Sequence, residues 1–374
     1  MRRSFRYRLY PNRTQAAAMA AILESHRALY NAALEHRRWS WQRGVSISYG
    51  DQSAELKEIR QDDAGMAACN FSSCQATLRR LDRAFRAFFR RLKSGESPGY
   101  PRFKGRDRFD TVEFPSHGDG CKFTGERVTF QGIGSVKVKA HRLTEGTIKT
   151  VSFKRESDRW FVIVSCDLGA APAIVGGGPA IGVDLGLTSF LVTSDGETVP
   201  APRLYRHNQR KLRRAQRALA RCRRGSKRRR KVKARVARCH AKVANQRRDF
   251  HHKTAKALTE HSGMICVEQL NVRGIARSRL AKPTHDAGWG QFLSILGRKA
   301  EGAGIQVVAV DPRDTTQACS DCGCLPPVPI GLADRMYHCA SCGYVGDRDV
   351  NAARNILQRG HRCQEPTRAM AGVS

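Results

Sequence analysis

Residues 181–199, IGVDLGLTSFLVTSDGETV, read as a buried strand, a turn and a second strand around Asp195-Gly196, and the first of these strands decides the fold. The run Ala180-Ile181-Gly182-Val183 is short and apolar throughout, as a fully buried strand is, yet it ends in Asp184. A second such run, Met264-Ile265-Cys266-Val267, ends in Glu268, and a third acid, Asp349, sits in DRDVNAARNIL where a helix begins. A carboxylate placed after an apolar strand is costly to bury unless it is paired or binds a cation. Two-metal phosphodiester hydrolysis needs clustered carboxylates of this kind, holding Mg²⁺ ions roughly 4 Å apart. Each acid also has a plainer explanation: Asp184 as a turn residue, Glu268 as an ion-pair partner, Asp349 as a helix N-cap.

Charge narrows the choice of partner. Lys and Arg total 67 against 33 acids in 374 residues, a formal net charge of +34. Such an excess repels itself unless a polyanion neutralises it, so a nucleic acid is the expected partner. The chain has no apolar stretch long enough to span a bilayer, and its start, MRRSFRYRLYPNRT, lacks the apolar centre of a secretory signal. Several of its 13 cysteines stand singly in apolar or helical contexts (Cys69, Cys74, Cys166, Cys266), as reduced core thiols of a cytoplasmic protein would.

Outward from the acids, the chain divides by period and composition. Residues 4–10 alternate like a short strand; Pro11-Asn12-Arg13-Thr14 breaks it, and Thr14 is a candidate helix cap. Helical spacing of apolar residues predicts helices over about 15–43 and 68–93, whose Leu and Phe stripe reads as core. From 100 to 168 the period changes to alternation around Gly turns, with a hairpin turning at Glu156–Asp158, the pattern of a small antiparallel β-barrel. GAAPAIVGGGP (169–179) then marks a domain boundary. Residues 203–248 contain no Asp or Glu and form two helical halves hinged at Gly225-Ser226. Leu212, Leu219, Val232, Val236 and Val243 keep an apolar stripe through them, which favours a folded hairpin over a solvated tail. Its Arg213, Arg214, Arg228, Arg229, Arg230 and Lys231 are candidate phosphate contacts, giving affinity and register but no sequence reading.

Two Cys-x-x-Cys pairs, Cys319/Cys322 and Cys339/Cys342, are each followed by Gly and lie 16 residues apart, the spacing of a zinc ribbon. Four thiolates leave no open coordination position, so one structural Zn²⁺ is expected; Cys324 lies just outside the pattern.

Read together, IGVDLGL (181–187), VEQLNVRGI (267–275), DAGWGQF (286–292), VDPRDTTQACSDCG (310–323) and CASCGYVGDRDVNAARNIL (339–357) resemble the TnpB family, relatives of the compact type V CRISPR effectors. RLYPNRTQ and QATLRRLDRAFRAFFRRL extend the likeness, less distinctively, over nearly the whole chain. The resemblance implies an α+β multidomain protein. Residues 1–10 and 100–170 would form a wedge-like β-barrel and 11–99 a helical recognition module. Residues 180–312 and 347–360 would form an RNase H-like (RuvC) nuclease domain carrying the basic hairpin 203–250, with the zinc ribbon inserted at 313–346 and a disordered tail over 361–374.

The same resemblance implies that Asp184, Glu268 and Asp349 are the catalytic acids holding two Mg²⁺ ions. Its DxNAA pattern selects Asp349 over the neighbouring Asp347, and Arg348 and Asn351 would support the site. A transposon-derived guide RNA and double-stranded target DNA would be the partners, one chain per guide, with base pairing reading the target. Gln75, which can pair bidentately with adenine, and Arg79 are candidates for nucleic-acid contact in the helical module. A compact CRISPR-associated effector and a nuclease-dead DNA-binding regulator are the rival readings; the second is disfavoured because all three acids are present.

Overall fold

The computed structural model describes residues 1–106, 108–174, 177–331 and 334–363. They form two compact units, residues 1–170 and 171 onward. No helix among the described residues is long and apolar enough to cross a membrane.

The first unit opens with β1 (Arg2–Tyr10), in which Phe5, Tyr7 and Leu9 alternate into the core between basic residues. A long helix α1 (Arg13–Gln42) follows, then three short helices, α2 (Tyr49–Ala54), α3 (Leu56–Asp62) and α4 (Ala64–Ala67), and α5 (Phe71–Lys93). Asn12, not Thr14, caps α1: its side chain accepts from the Gln15 amide at 2.8 Å, and Gln15 Oε1 accepts from the Asn12 amide at 3.1 Å. This reciprocal pair satisfies two otherwise orphaned donors, which a cap at Thr14 would not.

Six further strands complete a sheet with β1: β2 (Thr111–Phe114), β3 (Cys121–Phe123), β4 (Arg127–Phe130), β5 (Gly134–Lys139), β6 (Thr147–Glu156) and β7 (Arg159–Asp167). Their order is β2-β6-β7-β1-β5-β4-β3, antiparallel throughout. The β6–β7 hairpin turns through Ser157 and Asp158, with Ser157 at φ 56°. Among the described residues no ladder joins the edge strands β2 and β3, so the expected barrel is instead a sheet open at that seam. Both edge strands are short, and the chain between them is tied to β6, His117 N–H donating to Lys149 O, before it turns, Gly118 N–H donating to Cys121 O.

The second unit is built on a five-stranded sheet. Its first three strands, β8 (Ala180–Asp184), β9 (Ser189–Thr193) and β10 (Thr198–Pro200), form an antiparallel meander, one strand more than the sequence pattern shows. The basic hairpin follows as α6 (Leu204–Ala220) and α7 (Lys227–His261), hinged where expected: Gly225 has φ 82° and Ser226 caps α7. Then come β11 (Met264–Glu268), α8 (Val272–Ile275), α9 (Ala281–Ala287), α10 (Trp289–Ala303) and β12 (Gln306–Val310). β8, β11 and β12 are parallel, giving the order β10-β9-β8-β11-β12. A two-stranded ribbon, β13 (Met336–His338) and β14 (Val345–Asp347), leads into α11 (Arg348–Arg362). Residues 361 and 362 therefore close a helix rather than begin a tail, and 364–374 lie outside the described residues.

Strand pleat assigns each face of this sheet. Ile181, Val183, Ile265 and Val267 join Leu258, Phe292, Ile295 and Leu296 in one core, while Met264, Cys266 and Val310 join Ile356 of α11 in another. Covered on both faces, β8 and β11 are apolar without alternation. Gly182 is what lets α11 lie down: a Cβ there would stand 2.0 Å from Ala353 O and 2.9 Å from Leu357 N. Gly182→Ala should therefore push α11 off the sheet, lowering stability by roughly 2–3 kcal/mol and weakening any activity that depends on Asp349. Thermal melting checks this; an unchanged melting temperature would mean that the helix is not seated on the strand.

Candidate active site

Because side chains alternate along a strand, Asp184 and Glu268 share the α11 face with Gly182 and Cys266. β8 and β11 run parallel in register, Val183 opposite Val267, so the two acids leave the sheet side by side at its carboxyl end. Asp349, in the first turn of α11, completes the group. Both strand acids are buried, at 9% and 8% exposure. Burial first, then the charges of Glu268 and Asp349, push the Asp184 carboxyl up to about 7, against the opposing pull of Arg348. Burial likewise raises Glu268, opposed by a hydrogen bond from the Thr315 hydroxyl. Burial thus makes both strand acids costly to keep charged without a neighbouring cation.

The plainer explanation of Asp349 fails on geometry. Asp347 is the N-cap of α11, its Oδ1 accepting from the amides of Asp349 at 2.8 Å and Val350 at 3.0 Å. Asp349 is left to two guanidiniums, Arg348 Nη2 at 3.0 Å from Oδ1 and Arg335 Nη1 at 3.8 Å from Oδ2. Arg348 is in turn anchored by donating to Gly331 O at 3.0 Å.

Asn351 supports a different neighbour from the one expected. It is fully buried, accepts from Ser320 N–H at 2.8 Å and donates to Ala318 O at 2.8 Å. Asn355 donates to Thr315 O and Ala318 O, Gln358 to Ser320 O, and Arg359 to Asp311 O. One polar face of α11 thus holds the backbone of 311–320, and with it Thr315, the residue that touches Glu268. Neither Thr315 nor this helix face stands out in the sequence, although Thr315, Asn351 and Asn355 lie within quoted motifs.

The same backbone leads into the cysteine cluster. Sulfur atoms of Cys319, Cys322, Cys339 and Cys342 all lie within 4.8 Å of one another, with Cys319–Cys342 and Cys322–Cys339 each 3.6 Å apart. A tetrahedral ion with Zn–S bonds near 2.3 Å requires about 3.8 Å between sulfurs. The two halves repeat one turn: Gly323 N–H donates to Cys319 O and Cys319 N–H to Cys324 O, as Gly343 N–H does to Cys339 O and Cys339 N–H to Tyr344 O. Gly323 and Gly343 adopt φ 76° and 75°, where a side chain would be strained. Amides of Cys342 and Ser341 hold the Cys339 thiol below its ordinary range, favouring the thiolate a metal needs. Cys324 is exposed and outside the four-sulfur group.

The basic candidates divide into free and engaged. Arg213, Arg214, Arg228, Arg230 and Lys231 are exposed on the hairpin, and Arg210, Arg213, Arg214, Arg217 and Arg221 line one open depression. Arg229 is spent on structure, donating to the carbonyls of Leu219 and Cys222 at 3.0 Å each, where α6 ends. Gln75 donates to Ser53 at 3.1 Å, and the Arg79 guanidinium lies 5.4 Å from the Tyr49 ring centre. His251 is fully buried against Phe190, Phe250 and Phe292.

Comparison with known proteins agrees with this architecture. The OrfB_IS605 family model, "Probable transposase", matches residues 164–279, "Cas12f1-like, TNB domain" matches 289–356, and "Helix-turn-helix domain" matches 1–45. In this chain the last stretch is β1 followed by one continuous helix. A relative from Streptomyces pristinaespiralis, "Putative RNA-guided DNA endonuclease", is 33% identical, the match covering 96% of this chain and 90% of the relative. InsQ of Escherichia coli K12, given the same description, is 28% identical over 96% of this chain and 92% of its own. "TnpB-like protein L79" of Acanthamoeba polyphaga mimivirus is 33% identical over 32% of this chain and 24% of its own. The full-length match at that identity settles the kinship: this chain belongs to the TnpB family.

Proposed function

We infer that this protein is an RNA-guided DNA endonuclease of a transposable element. It holds a guide RNA, one chain per guide, recognises a short motif beside the target in double-stranded DNA, and hydrolyses the target backbone. The observation that carries this reading is the pair Asp184 and Glu268, both buried at one end of a parallel strand pair, where the charges of Glu268 and of Asp349 on α11 raise the Asp184 carboxyl, in a chain of net charge +34. An antiparallel meander continued by two parallel strands, with a helix laid across β8 and β11, supports an RNase H-like (RuvC) assignment for residues 180–312 and 347–360. The four-sulfur group supports a zinc ribbon over 313–346, closed by its own four ligands and therefore structural. The basic hairpin supplies charge for a phosphate backbone, and the first unit would carry guide and motif recognition.

Carboxylates are hard oxygen donors, and the upward push of Glu268 and Asp349 on Asp184 supports a divalent cation such as Mg²⁺ as the group these residues would hold. Bound there, two such ions supply an activated water and neutralise the leaving oxygen. The chain's own part is positional. β8 and β11 fix Asp184 and Glu268, Thr315 orients the Glu268 carboxylate, and Arg348 holds Asp349 at the helix end.

The test is to express the protein from its locus, sequence the RNA that purifies with it, and assay cleavage of a matching duplex. Glu268→Ala should keep guide and target binding and lose cleavage by more than about 100-fold, the upper end of what an outer-shell partner is worth. Undiminished cutting by that variant, or a protein that purifies without RNA, would overturn the assignment.

A further inference from the structure

A second cluster of metal-binding side chains lies in the first unit. His26, Cys69 and Cys74 are each fully buried, and their ligand atoms lie within 4.8 Å of one another. Local structure explains why the two cysteines meet. Cys69 precedes Asn70, the N-cap of α5, and Cys74 is the fourth residue of that helix, the two positions that pack together in a hydrophobic staple. A staple needs only apolar groups. It does not account for an imidazole from the middle of α1 delivered to the same point, nor for the polar atoms spent on orienting it.

The orientation is specific. His26 Nδ1 lies 2.7 Å from Thr77 Oγ1, whose own hydroxyl donates to Ser73 O at 3.3 Å. The tautomer with the proton on Nδ1 satisfies both of these bonds and leaves the lone pair on Nε2. This is the outer hydrogen bond by which a metal-bound histidine has its tautomer fixed. Ser73 Oγ, 3.2 Å from Nε2, gives its proton to Asn70 O at 2.7 Å and presents oxygen toward the same point. Arg60 clamps the turn before the first thiol, donating to the carbonyls of Met66, Ala67 and Cys69. Without an ion, an oriented imidazole and two thiols share a buried core, where the Cys69 thiol donates to Gly65 O at 3.3 Å. With two thiolates, a neutral imidazole and a divalent ion, the group is electrically neutral and fits its surroundings.

We propose that His26, Cys69 and Cys74 form a second, structural zinc site that pins α1, the turn after α4 and α5 together, with the Ser73 hydroxyl next to the fourth position. Sulfur and imidazole donors select Zn²⁺ over the Mg²⁺ suited to carboxylates. As the ion enters, Cys69 and Cys74 each release one proton to solvent, and no oxidant or reductant is needed.

Metal content of the full-length protein tests this. The parent should hold two zinc ions per chain; Cys69→Ala with Cys74→Ala should hold one, and so should Cys339→Ser with Cys342→Ser. Zinc unchanged in the alanine pair, or a parent with a single ion that the serine pair removes, would refute the site. Should the alanine pair not fold, the serine pair still decides. Loaded with Co²⁺, it should show a thiolate-to-cobalt band that disappears in His26→Gln, and absence of that band before the second change would end the proposal.

Discussion

Asp184→Asn should abolish DNA cleavage and, in chelator at pH 8, make the folded protein more stable than its parent. Burial and the charges of Glu268 and Asp349 raise this carboxyl from 3.8 to about 7 in the folded chain. Well below pH 3.8 it is neutral in both folded and unfolded states, and at pH 4 the unfolded chain has only begun to ionise, so the substitution should change little there. As pH climbs toward 7 the unfolded chain ionises freely while the folded one resists, and the parent loses stability across that window. Above 7 the loss is complete and on the order of 4 kcal/mol, which an asparagine avoids. The melting temperature in chelator should then rise by roughly 5–10 °C at pH 8. Divalent cation should reverse the ranking, stabilising the parent and not the variant. Melts at pH 4 and pH 8, with and without Mg²⁺, check this; a variant less stable than its parent at pH 8 in chelator would show that Asp184 is a structural partner.

Local signals made much of this legible in sequence. An apolar run ending in an acid needs no tertiary knowledge to look odd, which is why Asp184 and Glu268 stood out. Cys-x-x-Cys-Gly writes a knuckle within five residues, and Gly225-Ser226 writes a hinge and a cap within two. What sequence hid depends on residues far apart in the chain. Nothing near Thr315 announces that it will meet Glu268, 47 positions earlier. Arg229 looked like one more phosphate contact in a basic run, and only the fold shows it closing α6. The cap of α1 moved from Thr14 to Asn12 because the partner that completes the box, Gln15, chooses between them. His26 belonged to an apolar stripe and its two cysteines to another; their meeting is a property of packing alone.

Replacing Cys339 and Cys342 with Ser should cost one equivalent of zinc and, with it, the nuclease. The ribbon has almost no apolar core: among the described residues it is Cys319, Tyr337 and Cys339, backed by Ile330 and Tyr344. Zinc binding, worth about 10–16 kcal/mol in isolated zinc fingers, would therefore be the main force ordering it. Its loss cannot stay local. Asn351, Asn355 and Gln358 bond backbone groups that the first knuckle holds in place, and each buried group left unpaired costs roughly 1–3 kcal/mol. The loop 311–320 would then loosen, Thr315 would release Glu268, and the first turn of α11 would carry Asp349 away from Asp184. Cleavage should fall by more than about 100-fold, beyond the effect of losing one outer-shell partner. Hydrogen exchange should show lost protection over 311–358 but not over the first unit, which keeps its separate core. Normal cutting by a protein shown to lack the ribbon's zinc would mean that α11 alone positions Asp349, and that the ribbon serves the nucleic acid and not the site.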